Sequence, residues 1–197
     1  MHLITRTSAY RDAMEAALDD ARRLRPDGLG LVGYGVAHLL DGDGKTKTLV
    51  PFANLITDAG DAYVAAQIIA GVAPAAPPAP TRANGMKLGT GTTEVAKAST
   101  GAALVSYVSG SNAAFDSGYP QTANLGSGNG VNAVYKCSWA AGTATANDIS
   151  EVVIVNDAAT DATSATANTY ARALLTPLDK GAEDSLEITW NWKALGA

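Results

Sequence analysis

Apolar positions recur along this chain with two different periods, and the change between them divides it. Over residues 7 to 25, Tyr10, Met14, Ala17, Leu18, Ala21 and Leu24 fall three and four residues apart, which places them on one narrow stripe of an α-helix. Thr7 or Ser8 supplies the cap, Asp12 and Glu15 lie toward the positive end of the helix dipole, and Arg22, Arg23 and Arg25 crowd its negative end. Pro26-Asp27-Gly28 then stops the helix. Such a stripe serves either a helix docked on its own domain or an arm laid on a partner subunit. The stripe is thin and a Gly-containing break follows it, which suits an arm whose docking residues are Tyr10, Met14, Leu18, Arg22, Arg23 and Arg25.

From Gly28 onward the period becomes two. Residues 30 to 40 and 45 to 52 flank Asp41-Gly42-Asp43-Gly44, a turn-rich spacer that predicts a β-hairpin. A short helix is predicted over 59 to 70, with Thr57 or Asp58 as cap, Asp61 in the first turn and Gly71 at its end. Residues 71 to 80 (GVAPAAPPAP) hold four prolines and predict an extended, semi-rigid connector.

Beyond the connector, strands are predicted over 84–90, 102–109, 131–140, 149–156, 168–175 and 184–193. In the last, Leu186, Ile188, Trp190 and Trp192 alternate with Glu187, Thr189, Asn191 and Lys193, the pattern of a strand with one wet face. Val131, Ala133, Tyr135, Cys137 and Trp139 share a face in the same way. With the hairpin this makes about eight strands, enough for two packed antiparallel sheets. The expected fold is mainly β: an antiparallel β-sandwich of jelly-roll or Greek-key type, with an N-terminal helix and one further short helix. Residues 1–28 form the helical arm and 29–197 the sandwich domain.

Composition narrows the function classes. The 197 residues are 47% hydrophobic but only 6% aromatic and 17% charged, with a net charge of -5 and one cysteine. One core of this size needs no staples, and a lone Cys137 excludes an intrachain disulfide framework or a Cys-cluster zinc site. The acidic balance argues against nucleic-acid and anionic-membrane partners, which require a field of Lys and Arg. No signal-peptide pattern and no run approaching roughly 20 apolar residues is present, so the expectation is a soluble protein made in a cytoplasm.

Candidate chemistry is sparse. His2 sits near a terminus and His38 within a strand, with no Gly-x-Ser-x-Gly elbow to complete a triad. Cys137 alternates in phase with Tyr135 and Trp139 and reads as a core thiol. Gly89-Thr90-Gly91-Thr92-Thr93 lacks the Lys of a phosphate loop and reads as a strand-ending turn whose glycines adopt angles closed to other residues. Asp41-Gly42-Asp43-Gly44 lacks the later acidic ligands of a calcium loop. Asp157 and Asp161 form a looser acidic loop, open to a weak cation, and Glu183-Asp184 solvates a turn. No catalytic, cofactor-binding or metal-binding residue is assigned. The long stretch 110–130 carries one charge, Asp116, and offers Phe115, Tyr119 and Gln121 to a neighbouring subunit or to a sugar.

Three segments resemble small virion proteins of tailed bacteriophages of actinobacteria. Asn54-Leu55-Ile56-Thr57-Asp58-Ala59-Gly60-Asp61 is similar to an "N-L-[VI]-T-x-A-G" segment of that family, and Met86-Lys87-Leu88-Gly89-Thr90-Gly91-Thr92-Thr93 to "M-x-[VL]-G-T-G-T-T". The close, Asn168 to Arg172 and Lys180 to Trp190, is similar to "x-A-R-x-x-F … K-x-x-x-D-x-L-x-[IV]-T-W", with Leu174 and Leu175 where the family has an aromatic residue. The resemblance covers residues 50 to 190 and implies a non-enzymatic minor tail or capsid-decorating protein of the virion. Its partners would be other virion proteins (major capsid or tail proteins) and further copies of itself, with no cofactor. The alternative is a carbohydrate- or receptor-binding module at the tail tip, with a host glycan as ligand. Residues 1–28 have no counterpart in that pattern.

Overall fold

A computed structural model describes residues 8–23, 30–69, 81–124 and 131–195. Among the described residues, two α-helices, α1 (Ser8–Arg23) and α2 (Asp58–Ile69), accompany nine strands. These are β1 (Gly30–Leu40), β2 (Thr46–Ile56), β3 (Gly85–Gly89), β4 (Ala113–Ala114), β5 (Gln121–Asn124), β6 (Val131–Trp139), β7 (Ala146–Val155), β8 (Thr169–Lys180) and β9 (Ser185–Leu195). The chain is therefore mainly β and antiparallel, with the two helices where the periodicity puts them. The connector over 71–80 lies outside the described residues.

The strands pair continuously in the order β4-β3-β7-β8-β2-β1-β9-β6-β5. Strand β2 joins the two halves: most of it pairs with β1, while Leu55 and Ile56 at its end pair with Arg172 and Ala171 of β8. The sheet curls into a half-barrel around one core fed by both halves, including Leu39, Phe52, Trp139, Ile188 and Trp190 from one and Met86, Leu88, Ile154, Tyr170 and Ala173 from the other. The curl returns edge strand β4 toward β6 without a ladder. Asp116 N–H donates to Lys136 O at 2.9 Å, and Trp139 Nε1 donates to Ser111 O at 2.7 Å.

Alternation and glycine placement explain the curl locally. Val50, Phe52, Asn54 and Ile56 of β2 face inward, as do Trp190 and Trp192 of β9. Facing them on β1 are Gly33 and Gly35, paired with Trp192 and Trp190. A Cβ at Gly35 would lie 2.4 Å from Phe52 Cζ, and one at Gly33 would lie 1.6 Å from Asn54 Oδ1. The missing side chains are the space these neighbours occupy.

The hairpin tip forms as expected. Asp41 Oδ1 accepts the N–H groups of Asp43 (3.0 Å) and Lys45 (2.8 Å), and Gly44 takes φ +76°, so the aspartate serves the turn. Thr57 caps α2: its Oγ1 accepts Gly60 N–H at 3.1 Å and donates to Thr169 O at 2.6 Å.

Three expectations change. Residues 102–109 form no strand but a 3-10 turn at Thr100–Ala102 followed by a single bridge between Tyr107 and Gly89. Their N–H groups go elsewhere: Leu104 to Ser164 O, and Val105 and Ser106 to the Glu151 carboxylate. The stretch 110–130, expected as loop, contributes both edge strands, β4 and β5. The outer face of β9 is not wet: Thr189, Asn191 and Lys193 are 4%, 7% and 8% exposed. Helix α1 packs on the same side of the sheet over β1 and β2, where Ala17, Val32 and Tyr34 form a small buried cluster flanked by Met14, Leu18 and Ala53.

Candidate functional site

Charges placed singly in apolar strands mark the most elaborate polar arrangement. Glu151 interrupts the run ISEVVIV of β7, and Arg172 stands between Ala171 and Ala173 of β8. Both side chains are fully buried, with Arg172 Nη2 2.8 Å and Nε 2.9 Å from Glu151 Oε2. Glu151 Oε1 also accepts the N–H groups of Gly91 (3.0 Å) and Ser106 (2.8 Å), while Arg172 Nη1 donates to Thr93 O (2.7 Å) and Gly101 O (3.3 Å). A Cβ on either Gly89 or Gly91 would lie 2.4 Å from Glu151 Oε1. Neither glycine has positive φ. The Gly-Thr-Gly-Thr-Thr segment thus keeps glycine for close approach, not for unusual backbone angles, which corrects that expectation. Gly91 N–H, together with those of Val105 and Ser106, cradles an anion, and the anion is the chain's own carboxylate.

The other acidic candidates are engaged in the same manner. Lys87, fully buried on β3, places Nζ 3.0 Å from Asp157 Oδ1 and 2.9 Å from Ala162 O, with the Tyr107 ring 5.8 Å away. Asp157 further accepts Ser164 Oγ (2.6 Å) and Asn168 Nδ2 (3.1 Å). Asp161 Oδ1 accepts Tyr107 OH at 2.6 Å and Gly110 N–H at 2.8 Å, and those two bonds hold its carboxyl below the usual range. Lys180 Nζ donates to Ala140 O (3.0 Å) and Asp184 O (2.7 Å), and Asp184 Oδ2 meets Lys47 Nζ at 2.7 Å. Among the described residues, no group of three or more His, Cys, Asp or Glu side chains is placed to hold a metal ion.

Of the predicted docking residues, Tyr10, Met14 and Leu18 face the chain's own sheet. Tyr10 is buried, with its ring 5.9 Å from that of His38, and Met14 Sδ accepts Asn191 Nδ2 at 3.4 Å. The side chains of Arg22 and Arg23, and all of Arg25, lie outside the described residues. His38 Nε2 is 2.8 Å from Thr46 Oγ1. Burial lowers its pKa, with Lys136 assisting and Glu187 opposing. Protonation therefore favours the unfolded chain, and stability should fall as pH drops below 6.5 toward the lowered value in the fold. Chemical denaturation between pH 8 and 5, with His38→Gln flattening that slope, checks this.

Phe115 and Tyr119 separate. Phe115 turns inward, 5.2 Å from the Tyr135 ring, which in turn lies 5.0 Å from Trp192. Tyr119 stays half-buried on the turn after Asp116, its N–H on Asp116 O at 2.9 Å. The sheet thus stands between Phe115, on the inner face, and Tyr10, Met14 and Leu18, on the outer face. Cys137 is fully buried beside the carbonyls of Ala113 and Ala114, and burial pushes its thiol well up. It should resist a thiol reagent at pH 8 in the native protein and react once denatured; fast native labelling would contradict its placement.

The ion pair escaped the alternation argument because pattern reading scores Glu151 and Arg172 as breaks. The usable signal was one charge inside each of two apolar strands together with a Gly-x-Gly segment. No protein-family model matches the chain, and neither a curated protein nor a solved structure matches it.

Proposed function

We propose that this protein is a non-enzymatic structural component of a tailed-phage virion, a minor tail or capsid-decorating protein that docks on other virion subunits and stabilises the particle. One observation carries the reading: the three segments that resemble phage virion proteins, far apart in sequence, meet around β8. Thr57 Oγ1 donates to Thr169 O, Thr57 N–H to Tyr170 O (3.1 Å), and Arg172 Nη1 to Thr93 O. A Cβ at Gly60 would lie 2.0 Å from Tyr170 O, so that glycine seats α2 against the same strand. The motifs of the resemblance thus describe one packed unit, with Lys87 and Arg172 among them spent on holding it together. That is what a family defined by a scaffold rather than by an active site retains.

The two halves of the curled sheet face each other across one core, which supports a two-layered β-sandwich of jelly-roll or Greek-key type. Copies of the chain would assemble with major capsid or tail proteins in the host cytoplasm and remain in the virion. A tail-tip glycan site on the 110–130 segment retains Tyr119 but loses Phe115 to the core. Imaging of particles carrying a tagged copy tests the proposal: regular label along the head lattice or the tail supports it, and unlabelled particles with tagged protein left in the lysate reject it.

A further inference from the structure

The curled sheet has an edge strand at each end, β4 and β5, and the described residues treat the two differently. Strand β4 is two residues long, and the chain around it faces β6: Asp116 N–H donates to Lys136 O, and the Cys137 thiol lies 3.5 Å from Ala113 O and 3.4 Å from Ala114 O. Strand β5 pairs with β6 on one side, without a register shift, and its Gln121 and Thr122 are exposed. Where its other backbone groups point follows from β6. Lys136 O is turned away from β9, so the even-numbered residues of β6 aim at β5, and Val134 and Asn132 exchange bonds with Gln121 and Ala123. Thr122 and Asn124 therefore turn their N–H and C=O outward, where no described residue meets them. Edges kept single carry a Lys, a Pro, a bulge or an inward charge. Strand β5 has none of these, and residues 117–135 hold no charge in a chain whose net charge is -5.

We propose that β5 pairs antiparallel with β5 of a second copy of this chain, so that the sheet runs on across a two-fold axis. Charge and symmetry favour a second copy. Two acidic copies repel, and this uncharged stretch is where they approach with least repulsion, while an antiparallel strand pair is its own complement under a two-fold. Centring the axis on Ala123 opposes Thr122 of each copy to residue 124 of the other, so every outward group bonds. Pro120, which has no N–H, then stays outside the ladder. Four residues a side bury far less than the roughly 1,000 Å² of a stable interface, so the pair forms where copies are concentrated. The pairing deepens the virion reading by linking copies on a particle, but it is measured on the purified protein. Its failure leaves the particle location untouched, and absence from particles leaves the pairing untouched.

The full chain carrying Ala123→Cys is oxidised at rising concentration and analysed without reductant. On the proposed axis the two introduced thiols face each other across a non-hydrogen-bonded pair, with about 4.5 Å between Cα atoms, which is within disulfide reach. The native Cys137 is fully buried. A linked dimer should accumulate at least about tenfold faster than from Thr122→Cys, whose thiol opposes residue 124 of the other copy and not its own equivalent. Adding Thr122→Pro to Ala123→Cys removes an outward N–H and leaves the bonds to β6, so linking should fall about tenfold with the circular dichroism spectrum unchanged. Equal linking of Ala123→Cys and Thr122→Cys, as random collision gives, or no dimer from Ala123→Cys at any concentration, overturns the proposal.

Discussion

Replacing Arg172 with Met should lower the free energy of unfolding by about 3–5 kcal/mol, the usual cost of breaking a buried ion pair from one side. Both partners are fully buried, so the remaining Glu151 carboxylate would keep its backbone donors from Gly91 and Ser106 but lose its counter-charge. Urea unfolding should show an earlier midpoint with an unchanged slope. Adding Glu151→Gln to Arg172→Met should recover part of the loss, because the uncompensated charge goes. Arg172→Lys should not rescue. One ammonium cannot replace the two nitrogens on Glu151 while also reaching Thr93 O and Gly101 O. A loss for Arg172→Met under about 1 kcal/mol, the scale of an exposed pair, would show that the cradle is open to water.

Trp190→Ala should cost about as much, roughly 3–5 kcal/mol, through the cavity it leaves. Trp190 is fully buried and meets Phe52 edge-on at 5.0 Å. Its Nε1 donates to Asn54 Oδ1 at 2.8 Å. Gly35 and Tyr135 are its cross-strand neighbours, and a glycine cannot collapse into the void. Trp190→Phe keeps much of the volume and loses the hydrogen bond, so it should cost distinctly less than Trp190→Ala. Thermal unfolding followed by near-ultraviolet circular dichroism separates the two. Equal costs for both variants would mean that the indole N–H, not the ring volume, holds this part of the core.

The contrast between these two residues shows what the sequence could reveal. Trp190 is legible because β9 alternates strictly, and alternation reports the inner face of a strand whatever covers the outer one. The same argument assigned Thr189, Asn191 and Lys193 to water, since polarity alone cannot report that the fold buries them. Helix α1 was read at nearly its true length from a stripe, but a stripe carries no address, and its seat on β1 and β2 had to come from the structure. Residues 102–109 misled through composition. Their apolar side chains, such as Leu104, are buried, yet the backbone serves a carboxylate and a loop carbonyl instead of a ladder. Strands β4 and β5 escaped because two to four residues are too few to show a period. The Gly-Thr-Gly-Thr-Thr segment was read as a strand-ending turn, and only the fold shows Gly91 N–H donating to the buried Glu151 carboxylate.

The buried charges Lys87, Glu151 and Arg172 are spent on building a scaffold, and the proposed place in a particle rests on the three resembling segments that this scaffold brings together. The most direct measurement of the proposed role is quantitative mass spectrometry of gradient-purified tailed-phage particles from lysates in which the chain is produced. The account predicts its peptides in the particle fraction, at a copy number relative to the major capsid or tail protein that is constant between preparations. Recovery of the protein only from the soluble lysate, with none in the particles, would contradict it.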